Sequence, residues 1–278
     1  MTITIIGLGL IGGSMALDLK ARKYCTHVIG VDSNEEHCKS ALERGIADEI
    51  KELKDSLDSE LIILATPVSV SSKLLPQILD LIGDNNIVMD TGSTKNTICK
   101  AIKKHPRRKQ FVGTHPIAGT ENSGPKAAIH NLFDNKPCIL CVDDSALWVV
   151  ERVSELYETL NAKLLFMKAD EHDKHVAYVS HISHISSFAL ATTVLEMEKN
   201  TSTIFDLAGS GFESTVRLAK SSPAMWAPIF DQNSKYVSKA LGTYIKHLTK
   251  FKKDIDKKNT KGTHQAMVQA NAIRKILK

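Results

Sequence analysis

The first 168 residues alternate short β-branched apolar runs with stretches in which apolar residues recur every three or four positions. The runs ITIIG, HVIGV, LIILA, NIVMD, QFVGT, PCILCV and KLLFM read as strands, and helices are predicted near residues 12–23, 34–44, 69–82, 94–104 and 144–160. That alternation is the pattern of a parallel sheet with crossover helices on its faces. After Phe166 the strand signal stops. From Asp170 onward apolar residues recur at helical spacing, as in HVAYVSHISHISSFALATTVLEM, and further helices are predicted to the end of the chain. An α/β domain over residues 1–168 followed by an all-helical domain over residues 169–278 is therefore expected, with the active site in the cleft at the carboxyl ends of the strands.

Composition adds exclusions. Hydrophobic residues make up 42% and charged residues 24% of 278, an ordinary globular balance without the bias of disordered or disulfide-built chains. The net charge of +5 is local: residues 246–278 carry ten Lys and Arg against Asp254 and Asp256, a net +8 that leaves −3 on the rest. With no RNA- or DNA-binding motif and no aromatic platform beside those lysines, a nucleic-acid partner is not expected. The opening MTITIIGLGLIGGS lacks a basic n-region, and its glycines interrupt any membrane-length run, so neither a signal peptide nor a membrane span is read. Five scattered cysteines suit a reducing, cytoplasmic setting. Cys138 and Cys141 form a CxxC, but three apart on a strand they point to opposite faces, which argues against redox or zinc chemistry.

Gly7-Leu8-Gly9-Leu10-Ile11-Gly12 follows the first strand and opens the first helix, the context a dinucleotide fingerprint requires. Its glycines permit a tight turn and close approach of a diphosphate, and the helix N-terminus supplies amides. Asp32 ends the second strand twenty residues after Gly12, placed to accept from the adenosine ribose hydroxyls and to repel a 2′-phosphate. The first domain is thus read as a Rossmann-type dinucleotide-binding domain, with NAD favoured over NADP. Thr66-Pro67 follows the LIILA strand at the same edge and is read as lining the ribose and nicotinamide, although Pro67 also suits a helix start.

Three more segments carry a resemblance: Asp90-Thr91-Gly92-Ser93-Thr94-Lys95, His115-Pro116-Ile117-Ala118-Gly119-Thr120-Glu121, and Arg217 followed nine residues later by Trp226. In order, spacing and strand-end position, together with the glycine fingerprint, they resemble the prephenate/arogenate dehydrogenase family over nearly the whole chain, HPIAGTE being the most specific piece. The resemblance implies NAD-dependent oxidation and decarboxylation of prephenate on the way to tyrosine. It also implies His115 as general base, Ser93 hydrogen-bonding that histidine or the substrate hydroxyl, Arg217 gripping a prephenate carboxylate, and a homodimer through the helical domain. Wide apolar faces near residues 223–250 point to the same dimer. Ser180-His181-Ile182-Ser183-His184 resembles the family's SHxxH stretch, with His184 contacting the substrate side chain. Thr120 and Glu121 are expected pocket residues, and Glu121 can also serve as structural support.

Other readings stand beside these. Ser93 precedes a predicted helix and suits an N-cap; Arg217 suits a surface salt bridge. His181 with His184, or His172 with His175, lie at helical spacing that a metal could use, but no Cys or carboxylate completes a ligand set, so no metal is expected. Gly209-Ser210-Gly211-Phe212 departs from the consecutive glycines typical of the family, which leaves prephenate and arogenate both open as substrates. A β-hydroxyacid dehydrogenase would use a lysine such as Lys174 but would leave HPIAGTE and Arg217 unexplained. A non-catalytic NAD-binding sensor with a basic partner-binding tail is the alternative of a different class.

Overall fold

The computed structural model describes residues 1–198 and 207–276. Eight strands, β1 (Thr2–Ile6), β2 (His27–Val31), β3 (Glu49–Ile50), β4 (Leu61–Leu64), β5 (Ile87–Asp90), β6 (Phe111–Pro116), β7 (Pro137–Cys141) and β8 (Lys163–Met167), form one sheet in the order β3-β2-β1-β4-β5-β6-β7-β8. Helices α1 (Leu10–Ala21), α2 (Glu35–Glu43), α3 (Val68–Leu81), α4 (Asn96–Ala101) and α5 (Leu147–Thr159) run between strands.

Alternate residues of the strands feed two cores. On β4, Leu61 and Ile63 join Ile3, Met15, Leu19, Val112 and Tyr157 on one face, while Ile62 and Leu64 join Leu75, Ile78, Val88 and Phe111 on the other. Cys138 and Cys141 likewise fall into different clusters on opposite faces of β7, and all five cysteines are free thiols.

The sheet is not parallel throughout. β1 to β6 are parallel, but β7 pairs antiparallel with β6, and β8 parallel with β7. The β6–β7 connection holds only a short 3₁₀ turn at Pro125–Ala127, so no crossover helix returns the chain to the starting edge and β7 runs backward. Helix α5 then supplies the crossover that makes β8 parallel to β7.

Beyond the sheet come α6 (Ala169–Val176), a π-helical turn at Ala177–His181, α7 (Ile182–Glu198), α8 (Ser210–Val216), a 3₁₀ turn at Arg217–Lys220 and α9 (Pro223–Gln232). These belong to the same compact unit as the sheet, Met1–Asn233. Trp226 and Ile229 of α9 pack with Val68 at the start of α3, and Phe188 of α7 and Phe230 close over them. The sheet gives way to helices near residue 168, but the compact unit continues to Asn233. The second unit, Ser234–Lys278, contains α10 (Ser234–Asp256) and α11 (Thr260–Ala270), the latter capped by Asn259, whose side-chain oxygen accepts from the Gly262 amide at 3.1 Å. Among the described residues no helix is long and apolar enough to cross a membrane.

Candidate active site

The glycine turn has the form a dinucleotide needs. Gly7 sits at φ +99°, and a Cβ there would lie 2.6 Å from the Ala65 carbonyl oxygen, so only glycine fits. A Cβ on Gly12 would run into the Gly7 carbonyl. A Cβ on Gly9, by contrast, would meet nothing within 4 Å. Gly9 is the N-cap of α1 and brings no side chain to its first amides, so the helix start is left bare for an anion. Leu8 and Leu10 are buried against the core, and Ile11 packs at its margin.

Asp32 is held beside this turn. Its carboxylate accepts from the Leu8 amide at 2.9 Å and the Asn34 amide at 2.9 Å, with His37 Nδ1 3.4 Å away. The residues therefore fit NAD: bare amides for the diphosphate and a fixed carboxylate for the ribose diol. Thr66 bonds Ser71 Oγ at 2.8 Å, and Pro67 is the N-cap of α3, as its reading as a helix start expected.

His115 lies at the carboxyl end of β6, paired with Ile139 of β7, and is 9% exposed. The strand beneath it is fastened by a buried ion pair. Lys95, following β5, binds the Asp90 carboxylate and donates to the Thr114 carbonyl at 2.7 Å, immediately before His115. Thr114 Oγ1 also bonds the buried Tyr157 hydroxyl at 2.6 Å. The segment from Asp90 to Lys95 thus ties β5 to β6 at the point where the histidine emerges.

Behind His115 runs a chain of buried polar groups. His115 Nδ1 is 2.8 Å from His172 Nε2, and His172 Nδ1 is 2.8 Å from Asp173 Oδ1. Asp173 in turn accepts from the amides of Lys95 at 2.8 Å and Asn96 at 2.9 Å. Burial first, then electrostatic coupling to His172 and the charge of Lys95, holds His115 well below the usual histidine range. Burial also lowers His172, against the pull of Asp173. His115 is therefore neutral at pH 7.

This arrangement corrects the capping reading of Ser93. Helix α4 starts at Asn96, and its first amides are satisfied from α6 by Asp173 rather than by Ser93, which stays half-buried between β5 and α4. His172 was read only as half of a metal pair with His175 that was set aside, and Asp173 was not read as a site residue at all. The only hint is the run Asp170-Glu171-His172-Asp173 directly after the last strand.

A second cluster gathers around Trp226, which is 6% exposed. His184 stacks on it with ring centroids 3.6 Å apart, and His181 meets it edge-on at 5.8 Å. His184 Nδ1 donates to the Ser180 carbonyl at 3.0 Å, so Ser180 enters through its backbone. Burial lowers His184, and the charge of Arg217 adds to the effect. The Trp226 indole N–H and His181 Nε2 are buried without a hydrogen-bond partner among the described residues. Arg217, implied by the resemblance to grip a prephenate carboxylate, opens the 3₁₀ turn after α8 and is exposed. Thr120 and Glu121 are exposed on the loop after β6. Ser210 is the exposed first residue of α8. Lys174 is exposed on α6, beside the buried His172 and Asp173. Among the described residues no group of three His, Cys, Asp or Glu is placed to hold a metal ion.

Residues 15–166 match the family model described as prephenate dehydrogenase, nucleotide-binding domain, and residues 168–269 match that of the prephenate dehydrogenase dimerization domain. The chain belongs to the prephenate dehydrogenase family. It is accordingly an NAD-dependent oxidoreductase, and neither the β-hydroxyacid dehydrogenase nor the sensor reading survives. It is 33% identical to the prephenate dehydrogenase of Lactococcus lactis subsp. cremoris over 99% of this chain and 77% of that one. Its fold is similar to that of a prephenate dehydrogenase from A. aeolicus solved with hydroxyphenyl propionate and NAD+, with a TM-score of 0.88 at 28% identity, covering 100% of this chain and 98% of the other. Synechocystis arogenate dehydrogenase is also similar, with a TM-score of 0.78 at 29% identity over 99% of each chain.

Proposed function

We propose that the chain oxidises and decarboxylates prephenate to 4-hydroxyphenylpyruvate, a step of tyrosine biosynthesis, with His115 as the general base. The observation that carries this reading is a buried, neutral histidine at a strand end of a dinucleotide-binding sheet, one nitrogen engaged and the other without a partner among the described residues. The amides at the start of α1 and the Asp32 carboxylate would hold NAD. When bound, NAD supplies the acceptor for the hydride from the ring carbinol carbon.

His115 Nε2 takes the hydroxyl proton as that carbon is oxidised. The bond to the ring carboxylate breaks, its electrons flow through the ring to the oxidised carbon, and the oxygen becomes a phenolate. The imidazolium then returns its proton to that oxygen, so no net proton is released. Ser93, on the same edge, would hydrogen-bond the hydroxyl or His115. Arg217, His184, Trp226 and Ser180, with Thr120 and Glu121 on the β6 loop, would line the pocket for the two carboxylates and side chain.

We also infer a homodimer through the helical region and a cytoplasmic setting. The dimer is supported by the description of the family model over residues 168–269 and by exposed apolar side chains such as Val179, 76% exposed, and Leu195, 54% exposed. The free thiols suit a reducing compartment.

NADH formation with prephenate and with arogenate tests the activity. His115→Asn should lower kcat by about 10² to 10⁴ with a much smaller change in prephenate KM. Because His115 is depressed, kcat/KM of the wild type should fall on the acid side only below about pH 6.5, the ordinary histidine value. Near-normal turnover by His115→Asn with that acid limb intact would remove His115 from the role.

A further inference from the structure

A neutral histidine is a base at one nitrogen only, and which one depends on where its proton sits. In this fold that choice is made by buried neighbours. We propose that His172 and Asp173 are positioning residues that fix His115 in the tautomer protonated at Nδ1, leaving Nε2 bare as the base before substrate arrives. The inference rests on the reading of His115 as general base.

The direction of every hydrogen bond in the chain follows from its far end. Both Asp173 oxygens accept backbone amides, from Lys95 at 2.8 Å and Asn96 at 2.9 Å, as an ionised carboxylate does. His172 Nδ1, 2.8 Å from Asp173 Oδ1, must then donate. A neutral His172 has only a lone pair left at Nε2, so across the 2.8 Å contact His115 Nδ1 is the donor. A neutral His115 then has its lone pair at Nε2.

Burial keeps this order. His172 is 0% and Asp173 1% exposed, so no bulk water offers either an alternative partner. Asn233 Nδ2 donates to the Asp173 carbonyl at 2.7 Å and lies 3.2 Å from His181 Nδ1, which pins α6 from the other side. When His115 takes up the substrate proton, its Nδ1–H becomes a charge-assisted donor to His172, with the Asp173 carboxylate one residue further on. His172 and Asp173 therefore both set the resting tautomer and stabilise the imidazolium, without touching substrate.

The test is ¹⁵N NMR of the full-length, ligand-free protein with labelled histidine, read beside steady-state kinetics. In the wild type, neutral His115 should carry its proton on Nδ1. His172→Phe keeps the ring volume but removes the acceptor. His115 should shift toward the Nε2–H form, and kcat should fall by about 10² to 10⁴ with prephenate KM and NAD Kd within about threefold of wild type. His172→Gln restores an acceptor oxygen, and should retain the Nδ1–H form and kcat within about tenfold of wild type. A wild-type His115 protonated at Nε2 overturns the proposal whether or not the variants fold. Wild-type turnover by His172→Phe, or equal losses in the Phe and Gln variants, would leave Asp173 as a cap for α4 and His172 as packing. Full turnover by His115→Asn would instead overturn the assignment of the base, a separate result.

Discussion

Gly12 and Gly9, in the turn whose Leu8 amide Asp32 accepts from, make different demands, which the sequence pattern does not distinguish. A methyl on Gly12 meets a backbone carbonyl that cannot move, whereas a methyl on Gly9 points into open space. Gly12→Ala is therefore expected to lose folded protein. Gly9→Ala should keep its stability within about 0.5 kcal/mol, yet weaken NAD by at least about tenfold as the methyl occupies the diphosphate approach; thermal melts and NAD titration separate the two. Asp32→Ala should lower kcat/KM with NAD and narrow the preference over NADP, because it removes both the ribose acceptor and the charge that repels a 2′-phosphate. A wild type that prefers NADP would contradict the cofactor reading. These residues were legible because backbone geometry and ribose chemistry tolerate few alternatives. His172 and Asp173 were not, since their meaning depends on α6 lying against α4.

At the scale of elements, long buried strands announce themselves by apolar runs, and seven of the eight strands were readable that way. The two-residue β3 is too short to leave a pattern. The reversal of β7 is also silent, because a strand buried on both faces reads the same in either direction. What locks β5, α4 and β6 together is a feature the motif DTGSTK does not reveal, the buried Lys95–Asp90 pair bridging to the Thr114 carbonyl. Lys95→Met would strand a carboxylate at 1% exposure and leave that carbonyl without its ammonium donor. The expected loss is about 3 to 5 kcal/mol of unfolding free energy, measurable by urea titration of the purified variant. A loss under about 1 kcal/mol would place Lys95 among ordinary surface pairs.

Across the Met1–Asn233 unit, the histidines at the candidate site share one property that sequence cannot show: His115, His172 and His181 are buried and His184 half-buried, and all four are held toward the neutral form. His181 is lowered to about 4, and His115, His172 and His184 move in the same direction, burial being the largest cause in each. In the unfolded chain these groups titrate near the ordinary value of about 6.5. Between that value and the folded one, the unfolded state binds more protons, so stability rises with pH and is lost as pH falls from about 6.5 toward 4. Each such histidine contributes at most about 1.4 kcal/mol per pH unit in that window. The depressed carboxylates Asp48 and Glu49 also lose their stabilisation on acidification, but only as pH falls below the ordinary carboxyl values of about 4, under most of the histidine window. Urea midpoints should therefore decline already between pH 6.5 and 5, and His181→Gln, which cannot take up the proton, should flatten that decline. Fluorescence of Trp226, edge-on to His181, reports the same unit. A wild-type midpoint unchanged from pH 6.5 to 5 would mean that these histidines are protonated in the folded protein, and the neutral-base reading of His115 would fall with it.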